Sequence, residues 1–221
     1  MTRILAIADE VSDSLWSGRV RRLDPNLVVA CGDLPFDYLE YIVTMVNVPL
    51  VFVPGNHDPD LKAKPQTLSS QDFQRPLSLA TLRREPAGPM GCSNTDGRVV
   101  HEAGVRIAGL GGSVRYKPGS NQYTQRQMTR RALRLELSSV SRRARSHGKI
   151  DILITHSPPY GIGDGDDPAH RGFIAFHRLV TRLSPKLLIH GHVHPYGRVI
   201  PTHRLGSTTI VNVVGHRMLE L

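Results

Sequence analysis

At 221 residues and 39% hydrophobic content, the chain is long enough for one sizeable domain with a proper core. No run of eighteen apolar residues occurs, which excludes a membrane-spanning helix, and two cysteines far apart, Cys31 and Cys92, exclude a disulfide framework. A formal charge of +9 and a sequence pI near 10.1 favour anionic partners such as phosphate esters, nucleotides or nucleic acid.

Short apolar runs alternate with helical patterns, which predicts an α/β fold. The opening Met1-Thr2-Arg3-Ile4-Leu5-Ala6-Ile7 lacks a signal-peptide pattern and reads as a first strand over Ile4–Ala8, so a cytoplasmic protein is expected. A strand follows at Leu27–Ala30, a helix at Tyr38–Val46 and a strand at Leu50–Val53. Residues 59–97 are rich in Pro, Ser, Gln and Gly and read as an irregular insertion within a single domain spanning residues 1–221. A strand at Val105–Leu110 precedes a long helix over Thr124–Ser146, whose start carries the capping-box signature Thr124-Gln125-Arg126-Gln127. On that helix Leu133, Leu137, Val140 and Ala144 are expected to form the apolar stripe, with Arg131, Arg134, Arg142 and Arg145 on a solvated face. A strand at Ile152–Thr155, a helix at Phe173–Leu183 and strands at Leu187–His190 and Thr209–Val213 complete the pattern, and Val199 and Ile200 suit a further strand.

Chemistry-bearing residues follow the predicted strands. Asp9 follows the first, Cys31-Gly32-Asp33 the second, and Pro54-Gly55-Asn56-His57-Asp58 the third. His156 follows Ile152–Thr155, and Gly191-His192-Val193-His194 follows Leu187–His190. The carboxyl ends of strands are where α/β folds build their sites. Burying so many carboxylates, amides and imidazoles without partners would cost several kcal/mol, a cost that a shared divalent metal removes. Oxygen and nitrogen ligands without thiolate suit Mn²⁺ first, with Fe or Zn²⁺ as alternatives, and Mg²⁺ fits poorly with several histidines.

The order Asp9, Gly32-Asp33, Gly55-Asn56-His57-Asp58, His156, Gly191-His192-Val193-His194 closely resembles the calcineurin-like metallophosphoesterases over nearly the whole chain. The resemblance implies a two-sheet β-sandwich flanked by helices, of the α/β (α+β) class, with the metal site at strand C-terminal ends. It implies that Asp33 bridges two ions, that Asn56, His156 and His192 complete one site, and that Asp9 and His194 belong to the other. It further implies that His57 faces the scissile phosphate as a proton donor, with Asp58 orienting it. The implied activity is hydrolysis of a phosphomonoester or phosphodiester by a metal-activated hydroxide. A nuclease, or an inactive scaffold that binds protein, are the rival readings.

The family's first motif is Asp-x-His, and here it reads Asp9-Glu10-Val11. Valine cannot ligate. Glu10, Asp13 or a later segment could compensate, or only one ion is held. Strand parity points Glu10 away from Asp9. The segment 163–172, with Asp166 and His170, is the best later candidate for a metal or substrate contact. The glycine-, amide- and cation-bearing loop after Val105–Leu110 offers Arg115, Asn121 and Tyr123 as substrate contacts, for a phosphorylated small molecule or nucleotide.

Overall fold

Alternation along the first strand sets the architecture. In β1 (Arg3–Ala8) the side chains of Ile4, Ala6 and Ala8 point to one face and Leu5 and Ile7 to the other, and all are fully buried. A strand buried on both faces reads as a continuous apolar run, and two layers must cover it. A computed structural model shows those layers; it describes residues 1–61, 88–146, 149–197 and 201–221, with 140–146 as backbone only.

After β1 come α1 (Asp13–Trp16), a 3-10 turn (Arg19–Leu23), β2 (Leu27–Ala30), α2 (Phe36–Val46) and β3 (Leu50–Phe52). Next are β4 (Cys92–Asn94), β5 (Val99–Glu102), β6 (Val105–Leu110), β7 (Ser113–Val114) and β8 (Gln122–Tyr123). Then follow α3 (Gln125–Ser146), β9 (Ile152–Thr155), α4 (Ala175–Leu183), β10 (Leu187–His190), β11 (His203–Leu205), β12 (Thr208–Asn212) and β13 (Gly215–Glu220). One sheet runs β13-β1-β2-β3-β4 and the other β11-β12-β10-β9-β6-β5, with β7 and β8 forming a short separate ribbon. The inner strands of both sheets are parallel, while β13, β11 and β5 pair antiparallel.

The sheets face each other through Ile4, Ala6, Val29, Val51, Ile107, Ile154, Ile189 and Val211. The outer face of the first sheet, with Leu5, Ile7 and Val28, is covered by α1 and α2 through Leu15, Tyr38 and Ile42. The outer face of the second, with Leu110, Leu153 and Leu188, is covered by α3 and α4 through Met128, Leu135, Phe176 and Val180. The expected two-sheet sandwich flanked by helices is present.

Details differ from the sequence reading. The buried face of α3 is Met128, Ala132, Leu135 and Ser139, whereas Leu133 and Leu137 are exposed. Both sets have the same i, i+4, i+7 spacing. Small Ala132 and Ser139 let the helix seat closely, and the Ser139 hydroxyl is satisfied by donating to the Leu135 carbonyl at 2.7 Å. Arg131 is not solvated: it pairs with buried Asp96, donates to the Gly111 carbonyl and lies over the Tyr123 ring. The capping box forms as expected, with Thr124 N–H donating to Gln127 Oε1 at 2.8 Å and Gln127 N–H to Thr124 Oγ1 at 3.2 Å. Of the expected irregular stretch 59–97, residues 62–87 lie outside the described residues, and its end supplies edge strand β4, paired with β3. Val199 and Ile200 also lie outside the described residues. No described helix is long and apolar enough to cross a membrane.

Candidate metal centre

Because β1, β2, β3, β9 and β10 run parallel within their sheets, their C-terminal ends lie along one edge of the sandwich. Asp9, Asp33 and His192 each adopt positive φ, at 61°, 55° and 70°. Such backbone is rare and costly for residues with a Cβ, and clustering at one place marks a functional site. Glycines make the close approach possible. A Cβ on Gly191 would stand 2.1 Å from Asp9 Oδ2, and one on Gly55 would stand 2.0 Å from Asp33 Oδ1.

The result is a tight group. Asp9, Asp33, His156 and His192 each offer a ligand atom within 4.8 Å of the others. His156 donates from Nδ1 to the Cys31 carbonyl at 2.7 Å, which turns Nε2 to Asn56 Oδ1 at 3.0 Å and Asp33 Oδ2 at 3.3 Å. His192 Nε2 donates to the Ala169 carbonyl at 2.8 Å, leaving the Nδ1 lone pair open to a metal. Backbone bonds to carbonyls of this kind fix a ligand's tautomer and ring orientation. Asp9 Oδ2 is held by the His192 backbone N–H at 2.9 Å, and Asp33 Oδ1 by the His57 backbone N–H at 2.8 Å.

The electrostatics fit a cation. Burial holds the Asp9 carboxyl above the usual carboxylate range, with His156 and the His192 N–H offsetting part of the rise. At Asp33 burial acts in the same sense, but His156 and the His57 N–H outweigh it and the carboxyl falls below its usual range. Burial disfavours charge on His156, yet Asp33 and Asp9 overcome this and raise it to about 9. His192 is pushed to about 3 by burial and by the neighbouring His156. Two carboxylates thus draw a positive charge onto a fully buried ring. A divalent ion supplies that charge while leaving every ligand lone pair free. The Asn56 Nδ2 atom is buried without a hydrogen-bond partner among the described residues, so the amide is committed to presenting its oxygen to the group. Cys31 supplies no thiolate: burial pushes its thiol well up, and its Sγ donates to the Ile189 carbonyl. The residues present fit a divalent metal.

Other expected residues fall in different places. His57 is exposed at the rim. Asp58 does not hydrogen-bond His57; its Oδ2 accepts from the backbone N–H of Asp33 at 3.0 Å and of Gly55 at 2.7 Å, tying two ligand loops together. Asn121 donates to the Asp58 carbonyl at 3.1 Å and so buttresses the Asn56–Asp58 turn. Arg115 donates to the Gln122 carbonyl of its own ribbon and to Gln127 on α3, and Tyr123 lies beneath Arg131. The structure therefore brings Asn121 to the centre's edge and holds Arg115 and Tyr123 in the ribbon. His170 pairs with Asp167 at 2.8 Å and its ring lies 5.4 Å from that of His192, whereas the Asp166 carboxylate is exposed and touches none of these ligands.

The Val11 gap is met unexpectedly. Glu10 Oε1 lies 2.9 Å from His194 Nδ1, against the strand-parity argument. Parity fails because β1 ends at Ala8 and Asp9 is left-handed, which swings Glu10 onto the side of the ligands. Asp13 is instead in the first turn of α1. The signal for Glu10 was its carboxylate beside Val11; the turn that aims it has no sequence signature.

Comparison with known proteins bears on the family and the fold. A family model described as calcineurin-like phosphoesterase matches residues 3–196. TT1561 of Thermus thermophilus is 15% identical, with 97% of this chain and 89% of that chain covered and a TM-score of 0.61. Another solved structure is 16% identical over 97% of this chain and 91% of its own, with a TM-score of 0.60. Vps29 of Entamoeba histolytica, solved complexed with Zn²⁺, is 12% identical over 96% of this chain and 74% of its own, with a TM-score of 0.40. At such identities the first two show a shared fold and nothing finer. No curated protein matches the chain.

Proposed function

Because this chain belongs to the calcineurin-like phosphoesterase family, we propose that it hydrolyses a phosphoester, mono- or diester, at a divalent metal centre. The observation that carries the reading is the convergence of half-buried Asp9 and Asp33 with buried His156 and His192 within 4.8 Å. Asp33, with Asn56, His156 and His192, would hold one ion, and Asp9, Asp33 and His194 a second. When bound, divalent ions polarise phosphoryl oxygens and lower the pKa of water enough to supply a nucleophile at neutral pH. Manganese suits the mixed oxygen and nitrogen donors, with iron or zinc as alternatives.

The chain's own residues do the rest. His57, exposed beside Asp33, is placed to give a proton to the departing alkoxide, a contribution worth about 10²–10⁴-fold. Asp58 acts through the backbone, keeping the Asp33 and Asn56 loops in register. Glu10 receives the Nδ1–H of His194 and leaves Nε2 for metal, the usual carboxylate–histidine arrangement behind a ligand. Glu10 thus supports the half that Val11 weakens, which favours an active enzyme over an inactive scaffold. The +9 charge suits an anionic substrate, a phosphorylated small molecule or nucleotide, and keeps nucleic acid as a substrate to be assayed. A cytoplasmic setting agrees with the free thiols of Cys31 and Cys92.

The test is hydrolysis of p-nitrophenyl phosphate and bis-p-nitrophenyl phosphate by protein loaded with Mn²⁺, beside His57→Ala and Asp33→Asn. Turnover that both substitutions depress is expected. Turnover insensitive to them, or none on either ester or on single- or double-stranded DNA, would overturn the proposal.

A further inference from the structure

A cavity of about 410 Å³ lies beside the ligand group, with Gly163, Asp164, His190, His194, Tyr196 and His203 among its walls. That volume is within the range of pockets for small organic ligands, about 300–1,000 Å³. His194 gives it one edge in common with the metal centre. The loop carrying Gly163 and Asp164 continues to Ala169, whose carbonyl orients His192. A ligand in the cavity is therefore adjacent to whatever phosphorus the centre binds.

Two hydrogen-bond acceptors face this cavity. His190 is only 1% exposed and donates from Nδ1 to the Gly191 carbonyl at 2.9 Å, so its Nε2 presents a lone pair. Its Nε2 has no hydrogen-bond partner among the described residues. A Cβ on Gly163 would stand 3.8 Å from that atom and 3.5 Å from His203 Nε2. Glycine at this left-handed position, φ +70°, keeps the space between the two rings open. Asp164 spends Oδ2 on the Gly172 N–H at 2.9 Å, and its Oδ1 has no hydrogen-bond partner among the described residues. Asn212 donates to the Val193 carbonyl and accepts from the Val214 N–H. The uncommitted groups of His190 and Asp164 are acceptors. Pro195, Pro201 and the exposed ring of Tyr196 add flat apolar surface. Flat apolar walls around acceptors match a planar heterocycle that presents N–H donors.

We propose that this cavity is a nucleobase subsite, taking a base with ring imino and amino donors, a guanine-type edge, from the nucleoside esterified to the scissile phosphate. The link to a scissile phosphate rests on the phosphoesterase reading above, whereas base binding can be measured without it. The experiment is calorimetric titration of the Mn²⁺-loaded full chain with guanosine and with purine riboside, the same bicycle without those donors. Guanosine is expected to bind at least about tenfold more tightly, because a site built for donors rejects the analogue lacking them. Asp164→Asn keeps an oxygen for Gly172 and turns an amide N–H toward the base, so it should weaken guanosine about tenfold or more with an unchanged melting temperature. Equal binding of the two nucleosides, binding of neither, or indifference to Asp164→Asn would overturn the subsite; the first two comparisons use the unaltered protein and do not depend on the variant folding. In parallel, guanosine should inhibit bis-p-nitrophenyl phosphate hydrolysis competitively. Hydrolysis without guanosine binding would refute the subsite alone, and guanosine binding without hydrolysis would refute the phosphoesterase reading alone.

Discussion

Replacing Gly191 with alanine isolates the steric part of the site's construction. Gly191 is not at positive φ, so alanine suits its backbone and the effect is one of space. The added methyl would stand 2.1 Å from Asp9 Oδ2 and 2.6 Å from the Ala8 Cβ. Ordinary contacts are about 3.5 Å, so the Asp9 carboxylate must retreat by more than about 1 Å. It thereby loses the 2.9 Å bond from the His192 N–H, which aligns two ligands at once. Overpacking of this kind costs about 1–3 kcal/mol. Disturbing the support of a ligand typically costs about 10–100-fold in metal affinity. Urea unfolding and Mn²⁺ titration of Gly191→Ala should show both losses, with the far-UV spectrum unchanged. Native stability together with metal affinity within about twofold of the parent would refute the argument that Gly191 exists to seat Asp9.

Three further outcomes follow from particular contacts. Asp58→Ala strands the N–H groups of Asp33 and Gly55 and should cost about 2–4 kcal/mol in urea unfolding, with Asp58→Asn costing less because an oxygen remains; a shifted pH–rate profile with no stability loss would restore Asp58 as the orienter of His57. Glu10→Ala should weaken one equivalent of Mn²⁺ by about 10–100-fold and Glu10→Gln less, as read by calorimetry; two unaltered equivalents would remove Glu10 from the centre. Burial and Glu40 push the Cys92 thiol up to about 12. At pH 8 roughly one molecule in 10⁴ then carries the reactive thiolate, which appears only as pH climbs toward the raised value, so Ellman's reagent should react very slowly and about tenfold faster per pH unit; a rapid burst at pH 8 would contradict this.

The fold was legible where burial on both faces wrote itself as apolar runs. The strands at Leu27–Ala30, Val105–Leu110, Ile152–Thr155 and Leu187–His190 have the same limits in sequence and structure. The ligand group was legible because each motif residue follows such a run. Edge elements were not. β13 alternates exposed and half-buried residues through Gly215–Glu220 and has no apolar run to betray it, and β4 is only Cys92–Asn94. On α3 the larger leucines suggested one face while packing chose the face with Ala132 and Ser139, because close approach to the sheet outweighs side-chain size there. Glu10 escaped because a single left-handed residue, Asp9, reverses the parity on which its direction was judged. Asp58 escaped because a backbone-directed carboxylate and an imidazole-directed one share the same motif.

Phosphoester hydrolysis at a metal centre formed by Asp9, Asp33, His156 and His192 makes metal and turnover inseparable. Protein stripped of metal should be titrated with Mn²⁺ while bound metal and bis-p-nitrophenyl phosphate hydrolysis are followed together, beside Asp33→Asn. Activity is expected to rise with bound metal and to be lost in the variant. Hydrolysis by the stripped protein, or full metal binding by Asp33→Asn, would contradict it.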